Sequence, residues 1–231
     1  MHSPRINALS RVLGKAAIKA AVPGEVRLAR KLTGLFADAE RQLRKKILER
    51  GTLIEADAAS ILGAARQAAT RVIADELRRD VRQPDRVSGL LEDRAFEASK
   101  RTMERLQGDV MSALQAAQVD GLGTRATADV IGKHFRNTAR WELERIARTE
   151  VNGAQNLSTY EELQQRRVPF HQWITAEDER VRASHAELHG EVVEVGGAFS
   201  NGLKYPGDRS GPIEEWVNCR CVTVPVLRKE V

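Results

Sequence analysis

A mainly α protein with a small C-terminal α+β lobe is the fold class this sequence predicts, its long helices forming a bundle or an extended array. Three observations predict it. Aromatic residues make up only 4% of the chain against 42% hydrophobic residues, so the core must be built from alanine and aliphatic side chains, as helix packing allows. From Glu25 to Tyr160 the apolar residues recur at steps of three and four, the period of one helix face. After Pro169 the pattern changes to alternation, punctuated by glycine and proline.

Residues 1–22 read as a basic N-terminal arm. Arg5, Arg11, Lys15 and Lys19 stand among Ile6, Leu9, Val12, Leu13 and Ile18 at helical spacing, and no acid is present. Such an arm is expected to fold on a partner, and Pro23-Gly24 is expected to interrupt its helix. Residues 23–120 form a long-helix body. Its first helix, Glu25 to Arg50, carries the stripe Val26, Ala29, Leu32, Phe36, Ala39, Leu43 and Ile47 and stops at Gly51. Thr52 with Glu55 resembles a capping box for a second helix to about Asp80, with Ile61, Ala65, Ala68, Val72 and Leu77 for packing. Pro84 ends that region. Ser88 can cap a third helix whose stripe is Leu91, Ala95, Ala98, Met103, Leu106, Val110, Leu114 and Ala117.

Residues 121–231 form the last domain. Asp120-Gly121-Leu122-Gly123 breaks the periodicity, and Thr124 or Thr127 caps a short helix through Phe135. A longer helix from about Thr138 to Arg167 comes next, with Ile146, Val151, Ala154, Leu157 and Tyr160 on one face. Arg148, Asn152 and Gln155 share another side, either a solvent face or a row of hydrogen-bonding groups that docks the C-terminal lobe. That lobe begins at about residue 169. Phe170 to Thr175 alternates as a strand, Ala183 to His189 holds one or two helical turns ended by Gly190, and Glu191 to Val195 is a short strand. Residues 196–212 are a loop, and Cys221 to Val226 is a last strand whose Pro225 argues for an edge.

Charge is unevenly placed. Residues 1–50 hold 12 Lys/Arg against 4 Asp/Glu, a net of +8, whereas the remaining 181 residues carry a net of −3. That asymmetry fits contact with DNA, RNA or an acidic protein surface, and it equally fits a solvated helical face. No apolar run reaches the ~18–20 residues that span a bilayer, and the N-terminus has no apolar signal region, so no membrane partner and no secretion are expected. Two cysteines one residue apart make no disulfide framework and point to a reduced, cytoplasmic setting.

Asp178, His185, Asp208, Cys219 and Cys221 are the residues able to ligate a metal, with zinc suiting thiolate and imidazole. The other reading is two small buried thiols and a surface histidine. His185 and His189 sit at i and i+4, but HAELH is not HExxH, because the glutamate stands in the middle. No nucleophile elbow, Walker A loop or dinucleotide-binding glycine motif is present. Trp141, Trp173 and Trp216 are read as core anchors, the other role for them being stacking on bases.

The ordered set IARTEVNGAQN, QWITAEDERVRASHAELHG, YPGD and NCRC resembles the phage Mu protein F-like, or phage head morphogenesis, family of minor head proteins. The resemblance covers about Gly121 to Val226, including GLGTRATADVIGKHF. Arg148, Thr149, Glu150 and Asn152 match its ARTE-x-N helix, Trp173, Asp178, Arg180, His185 and Gly190 its next motif, and Cys219, Arg220 and Cys221 its last. Many relatives carry cysteines where Val181 or Arg182 stands here, and a His-Pro where Trp216-Val217 stands. The resemblance implies a minor capsid protein of a tailed bacteriophage, not an enzyme, acting in the virion at the capsid interior or portal vertex after assembly in host cytoplasm. Its implied partners are the portal protein, the major capsid or scaffold protein and double-stranded DNA.

The expected DNA contacts are Arg5, Arg11, Lys15, Lys19, Arg44, Lys45 and Lys46. Arg148, Glu150, Asn152, Asp178, Arg180 and His185 are expected to form a polar network that clamps the lobe to the long helix. No cofactor is expected, zinc on His185, Cys219 and Cys221 being the one candidate. The alternative functions are a metal-dependent hydrolase or nuclease using those three residues with Asp178 as base, and a soluble DNA-binding factor unrelated to particles.

Overall fold

The computed structural model describes residues 8–227 apart from 52, 54, 82 and 83, so Arg5 and the Thr52 cap lie outside the described residues. Four long helices come first: α1 (Ala8–Arg50), α2 (Glu55–Asp80), α3 (Pro84–Val119) and α4 (Thr124–Gln165). The lobe comes next as β1 (Phe170–Ile174), α5 (Ala183–Glu187), β2 (Val192–Glu194), α6 (Ile213–Trp216) and β3 (Val222–Val226). The mainly α class with a small C-terminal α+β lobe is therefore the observed one. Glu55 and Asp57 open α2 and Arg78 and Arg79 close it, each sign at the end of the helix dipole it stabilises.

Three boundaries depart from expectation. Pro23 lies inside α1 and does not interrupt it. An internal proline costs about 3 kcal/mol of helix stability, and burial of Ala21 and Leu28 on either side outweighs it. Gly24 also packs closely: a Cβ there would lie 3.2 Å from Val151 and would displace the Asp80 carboxylate. Pro84 does not end a region but opens α3, where a missing N–H is harmless, and Ser88 is an internal residue that accepts a bond from Arg78 at 3.5 Å. Residues 124–165 form one helix rather than two, because the buried residues Ala128, Ile131, Phe135, Leu143 and Ala147 continue the packed face across the expected break.

The chain divides into two compact units, Arg27–Asp75 with Glu92–Ile146, and Met1–Val26 with Glu76–Leu91 and Ala147–Val231. The all-helical unit buries Leu32, Phe36, Leu43, Ile47, Leu62, Ile73, Leu106, Ile131 and Phe135. Leu28, not Val26, carries the α1 stripe, since Val26 is 52% exposed. Trp141 is no core anchor either, being 51% exposed. The buried carboxylate of Glu142 gathers Arg105 and Arg145, and their guanidiniums lie 5.4 and 4.8 Å from the Trp141 ring centre.

The unit that contains the lobe is organised on an antiparallel sheet in the order β2-β1-β3, with Gln172 opposite Val192 and Trp173 opposite Thr223. Both faces are covered. Ile174, Val222 and Val224 pack on Ala17 and Ile18 of α1, so the described part of the basic arm is built into the fold rather than waiting for a partner. On the other side Trp173, Leu188, Phe199, Leu203, Cys219 and Cys221 form the lobe core, with Val193 against it. Pro225 lies in β3, an edge strand, as a residue without an N–H requires. The loop after β2 turns back at Gly207, whose φ is +82° and whose missing Cβ would lie 2.9 Å from Gly153 Cα in α4. Two glycines thus bring the loop onto the helix backbone.

Candidate functional site

The edge of β3 that has no strand beside it is met by side chains of α4. An open strand edge presents unpaired N–H and C=O groups, and when buried these must find partners. Asn156 supplies both from one amide: its Nδ2 donates to the Cys221 carbonyl at 3.0 Å, and its Oδ1 accepts the Thr223 N–H at 2.9 Å. One turn earlier, Asn152 Nδ2 donates to the Cys219 and Cys221 carbonyls at 2.9 and 3.1 Å. Thr149 Oγ1 accepts the Asn218 N–H at 2.9 Å. All three α4 residues are buried. Asn218 holds a left-handed φ of 59°, which asparagine tolerates better than most residues. The helix therefore reads the backbone of residues 218–223 through a ladder spaced by its own turns.

Of the six residues expected in the clamp, three tie α4 to the lobe, two of them at this seam. Arg148 Nη1 donates to Asn218 Oδ1 at 3.1 Å and its Nε lies 3.7 Å from Glu25, Glu150 pairs with Arg209, and Asn152 makes the bonds above. The other three do not clamp the helix. Asp178 binds Arg220, one of whose nitrogens donates at 2.6 Å, and accepts the Arg180 N–H at 3.1 Å. Arg220 holds the Asp178 carboxyl below its ordinary range. Arg180 contributes that backbone N–H to a turn, and its side chain lines a small cavity beside Cys221. His185 points into the lobe. Gly190, at φ 89°, anchors β1 by accepting from Gln172 at 2.8 Å and donating to the Trp173 carbonyl at 2.8 Å.

The inward-facing group is a trio. His185 Nδ1 lies 3.7 Å from Cys219 Sγ and 3.4 Å from Cys221 Sγ, and all three residues are buried. His185 Nε2 faces Glu215 Oε2 at 3.1 Å. Glu215 is itself held at 3.2 Å by both Ser184 Oγ and Asn201 Nδ2. Trp173 stands edge-on to His185 with ring centres 5.2 Å apart. A hydrogen bond from Cys221 and the neighbouring imidazole outweigh burial and bring the Cys219 thiol down to about 5, while Cys221 is pushed up. Burial works against a charged His185, but its bond to Cys219 and the charges of Cys219 and Glu215 raise it.

The remaining candidates are placed elsewhere. Asp208 caps its own loop, accepting the Lys204 and Ser210 N–H groups at 3.0 and 2.9 Å, and is not part of the trio. His189 accepts the Thr175 N–H at 3.1 Å, so the two histidines of HAELH serve different ends. Trp216 is buried, with Arg209 5.1 Å from its ring centre. Among the basic residues, Arg11 and Lys15 lie 3.7 and 3.9 Å from Glu177, Arg44 pairs with Asp129 at 2.6 Å, and Lys45 lies 3.7 Å from Glu49. Lys19 is exposed and Lys46 half-buried. Sequence reasoning missed Asn156, Arg209, Asn218 and Glu215. Asn156 was detectable as the next helical turn after Asn152, but Glu215 is 30 residues from its partner and only the fold brings it there.

His171, absent from the expected site, gives a pH prediction. It is fully buried, Nδ1 bonds Thr223 Oγ1 at 2.8 Å, and burial lowers its pKa to about 4. The unfolded chain takes up this proton near pH 6.5 and the fold resists it to about 4. Nothing is lost above pH 6.5, and roughly 3 kcal/mol is lost as pH falls from there to 4. In an NMR titration the His171 ring should stay neutral until about pH 4. A midpoint near 6.5 would contradict a sealed environment.

Comparison with known proteins bears on the same residues. A family model described as Phage Mu protein F like protein matches residues 108–224. An Enterococcus faecalis protein named NAD(+)--arginine ADP-ribosyltransferase EFV is 33% identical over 129 residues, 47% of this chain and 26% of that protein. An uncharacterised Haemophilus influenzae protein is 30% identical over 125 residues, 54% of this chain and 25% of that one. The chain thus spans about a quarter of the length of these curated relatives. No solved structure matches.

Proposed function

This chain belongs to the phage Mu protein F-like family, a family of phage head morphogenesis proteins, and from that premise we propose that it is a minor head protein that works by binding. Its place is the virion, at the portal vertex and capsid interior, with the portal protein, major capsid or scaffold protein and packaged double-stranded DNA as partners. The observation that carries this reading is the seam between α4 and residues 218–223. The motif residues that mark the family spend their polar groups on holding a lobe in place, with Thr149, Asn152 and Asn156 all buried. No helix among the described residues is long and apolar enough to cross a membrane.

The hydrolase or nuclease reading fits less well. A catalyst needs an approach for substrate, whereas His185, Cys219 and Cys221 are 1%, 2% and 2% exposed beside a cavity of only about 10 Å³. Asp178, its intended base, is engaged by Arg220 and held in a weakly basic state. The activity in the name of the Enterococcus relative belongs to a protein of which three quarters lies outside the match, so it is not carried to this chain.

DNA binding is proposed for the basic N-terminal part, residues 1–50, and is tested by salt dependence. Lys19 and Lys46, which pair with no carboxylate among the described residues, should contribute most per residue, and Arg44, paired with Asp129, least. Exchanging Lys19 and Lys46 for glutamine should weaken binding to duplexes of any sequence alike. It should also flatten the slope of log affinity against log salt by about 2, since each phosphate contact contributes ~0.9. An unchanged slope would remove these residues from the interface. Mass spectrometry of nuclease-treated, gradient-purified particles tests virion residence: the chain should co-purify with the portal protein, and its absence would overturn the reading.

A further inference from the structure

We propose that His185, Cys219 and Cys221 bind one zinc ion as a structural centre of the lobe, with a water in the fourth position. The first ground is distance. With zinc–sulfur bonds of about 2.3 Å and a zinc–nitrogen bond of about 2.05 Å, tetrahedral angles place nitrogen and sulfur about 3.6 Å apart. The observed separations from His185 Nδ1 are 3.7 and 3.4 Å, and the three ligand atoms lie within 4.8 Å of one another.

The second ground is valence. His185 Nδ1 faces both buried sulfurs but has only one proton or one lone pair, so it bonds one of them and leaves the other to the contact between the two thiols. A cation at their common centre satisfies all three atoms at once. The third ground is orientation. Glu215 engages Nε2 and is fixed by Ser184 and Asn201, so Nδ1 is the nitrogen turned toward the sulfurs, the carboxylate–histidine arrangement that supports metal ligands.

Charge and space agree with this. Zn²⁺ with two thiolates and a neutral imidazole is electrically neutral, which suits a centre this buried. The cavity beside the trio, about 10 Å³ and lined by Arg180, Val181, Arg182, His185, Asn218, Arg220 and Cys221, has room for about one water as the fourth ligand. Two of the arginines that line it are turned to other partners: Arg182 donates to the Val217 carbonyl and Arg220 to the Asp178 carboxylate. Thiolate and imidazole donors select zinc over magnesium or calcium.

The test uses the full chain purified without chelator or affinity tag. Elemental analysis should find about one zinc per chain. Replacement by cobalt should give intense thiolate-to-cobalt absorption and tetrahedral d–d bands, as a Cys₂His centre requires. Cys219→Ser and Cys221→Ser should each lower retained zinc at least ~10-fold. Because those variants can fail to fold, two others keep the test decisive. His185→Cys should keep one metal and strengthen the charge-transfer band. Glu215→Gln should weaken zinc binding by roughly 10–100-fold, stoichiometry being restored at saturating zinc. A helical, folded wild-type chain with less than about one zinc per ten molecules and no thiolate-to-cobalt band overturns the proposal. So does a cobalt spectrum that Cys219→Ser or Cys221→Ser leaves unchanged.

Discussion

Asn156→Leu should destabilise the lobe by about 3–4 kcal/mol, although the side chains are close in volume. The substitution removes the donor to the Cys221 carbonyl and the acceptor for the Thr223 N–H in one step. Asn152 still serves the Cys221 carbonyl, so that group keeps a partner. The Thr223 N–H does not. It sits on the strand edge, in a buried residue, and a buried unsatisfied donor costs about 1–3 kcal/mol beyond the bonds lost. Native-state hydrogen exchange reads this directly. Amides of residues 222–226 and 170–174 should exchange ~100-fold faster or more in the variant. Unchanged rates would mean that the sheet does not depend on the helix. Arg148→Ala, by contrast, should cost under about 1 kcal/mol, since its bond to Asn218 is exposed to water.

Trp173→Ala should cost about 3–5 kcal/mol, the range for truncating a large buried aromatic. Trp173 is fully buried, meets Phe199 with ring centres 5.1 Å apart, and packs with Leu188, Leu203, Cys219 and Cys221. It is also the wall against which His185 is oriented. The cavity would therefore loosen the trio as well as the core, and thiol reactivity should rise with the loss of stability. Urea unfolding followed by circular dichroism and thiol labelling checks both. A loss below about 1 kcal/mol would show that the lobe core is not the one described.

How far the sequence carried these conclusions varies by element. All eight residues of the expected α3 stripe, Leu91 to Ala117, are buried, because a long amphipathic helix repeats its signal many times. Pro23 misled because a proline's local cost was weighed without the packing on either side of it. The apparent break near Asn137 and Thr138 misled for a similar reason: weak helix formers are carried by a continuous buried face. In the site, Asn152 and the Cys-X-Cys pair were legible as polar or thiol groups at helix and strand spacing. Which way they faced was not. That Asn156 would pair with a strand edge, or that Glu215 would reach His185, depends on contacts 67 and 30 residues apart in the chain.

The central claim is that the family motifs lock a closed lobe onto α4, and that the protein acts in the head by holding neighbours together. A density map of assembled particles tests it most directly. The account predicts this chain at the portal vertex, with Asn152 and Asn156 seated on residues 219–223 and His185 sealed inside. Particles that lack the chain, or a lobe swung away with the histidine and both sulfurs open to solvent, would contradict it.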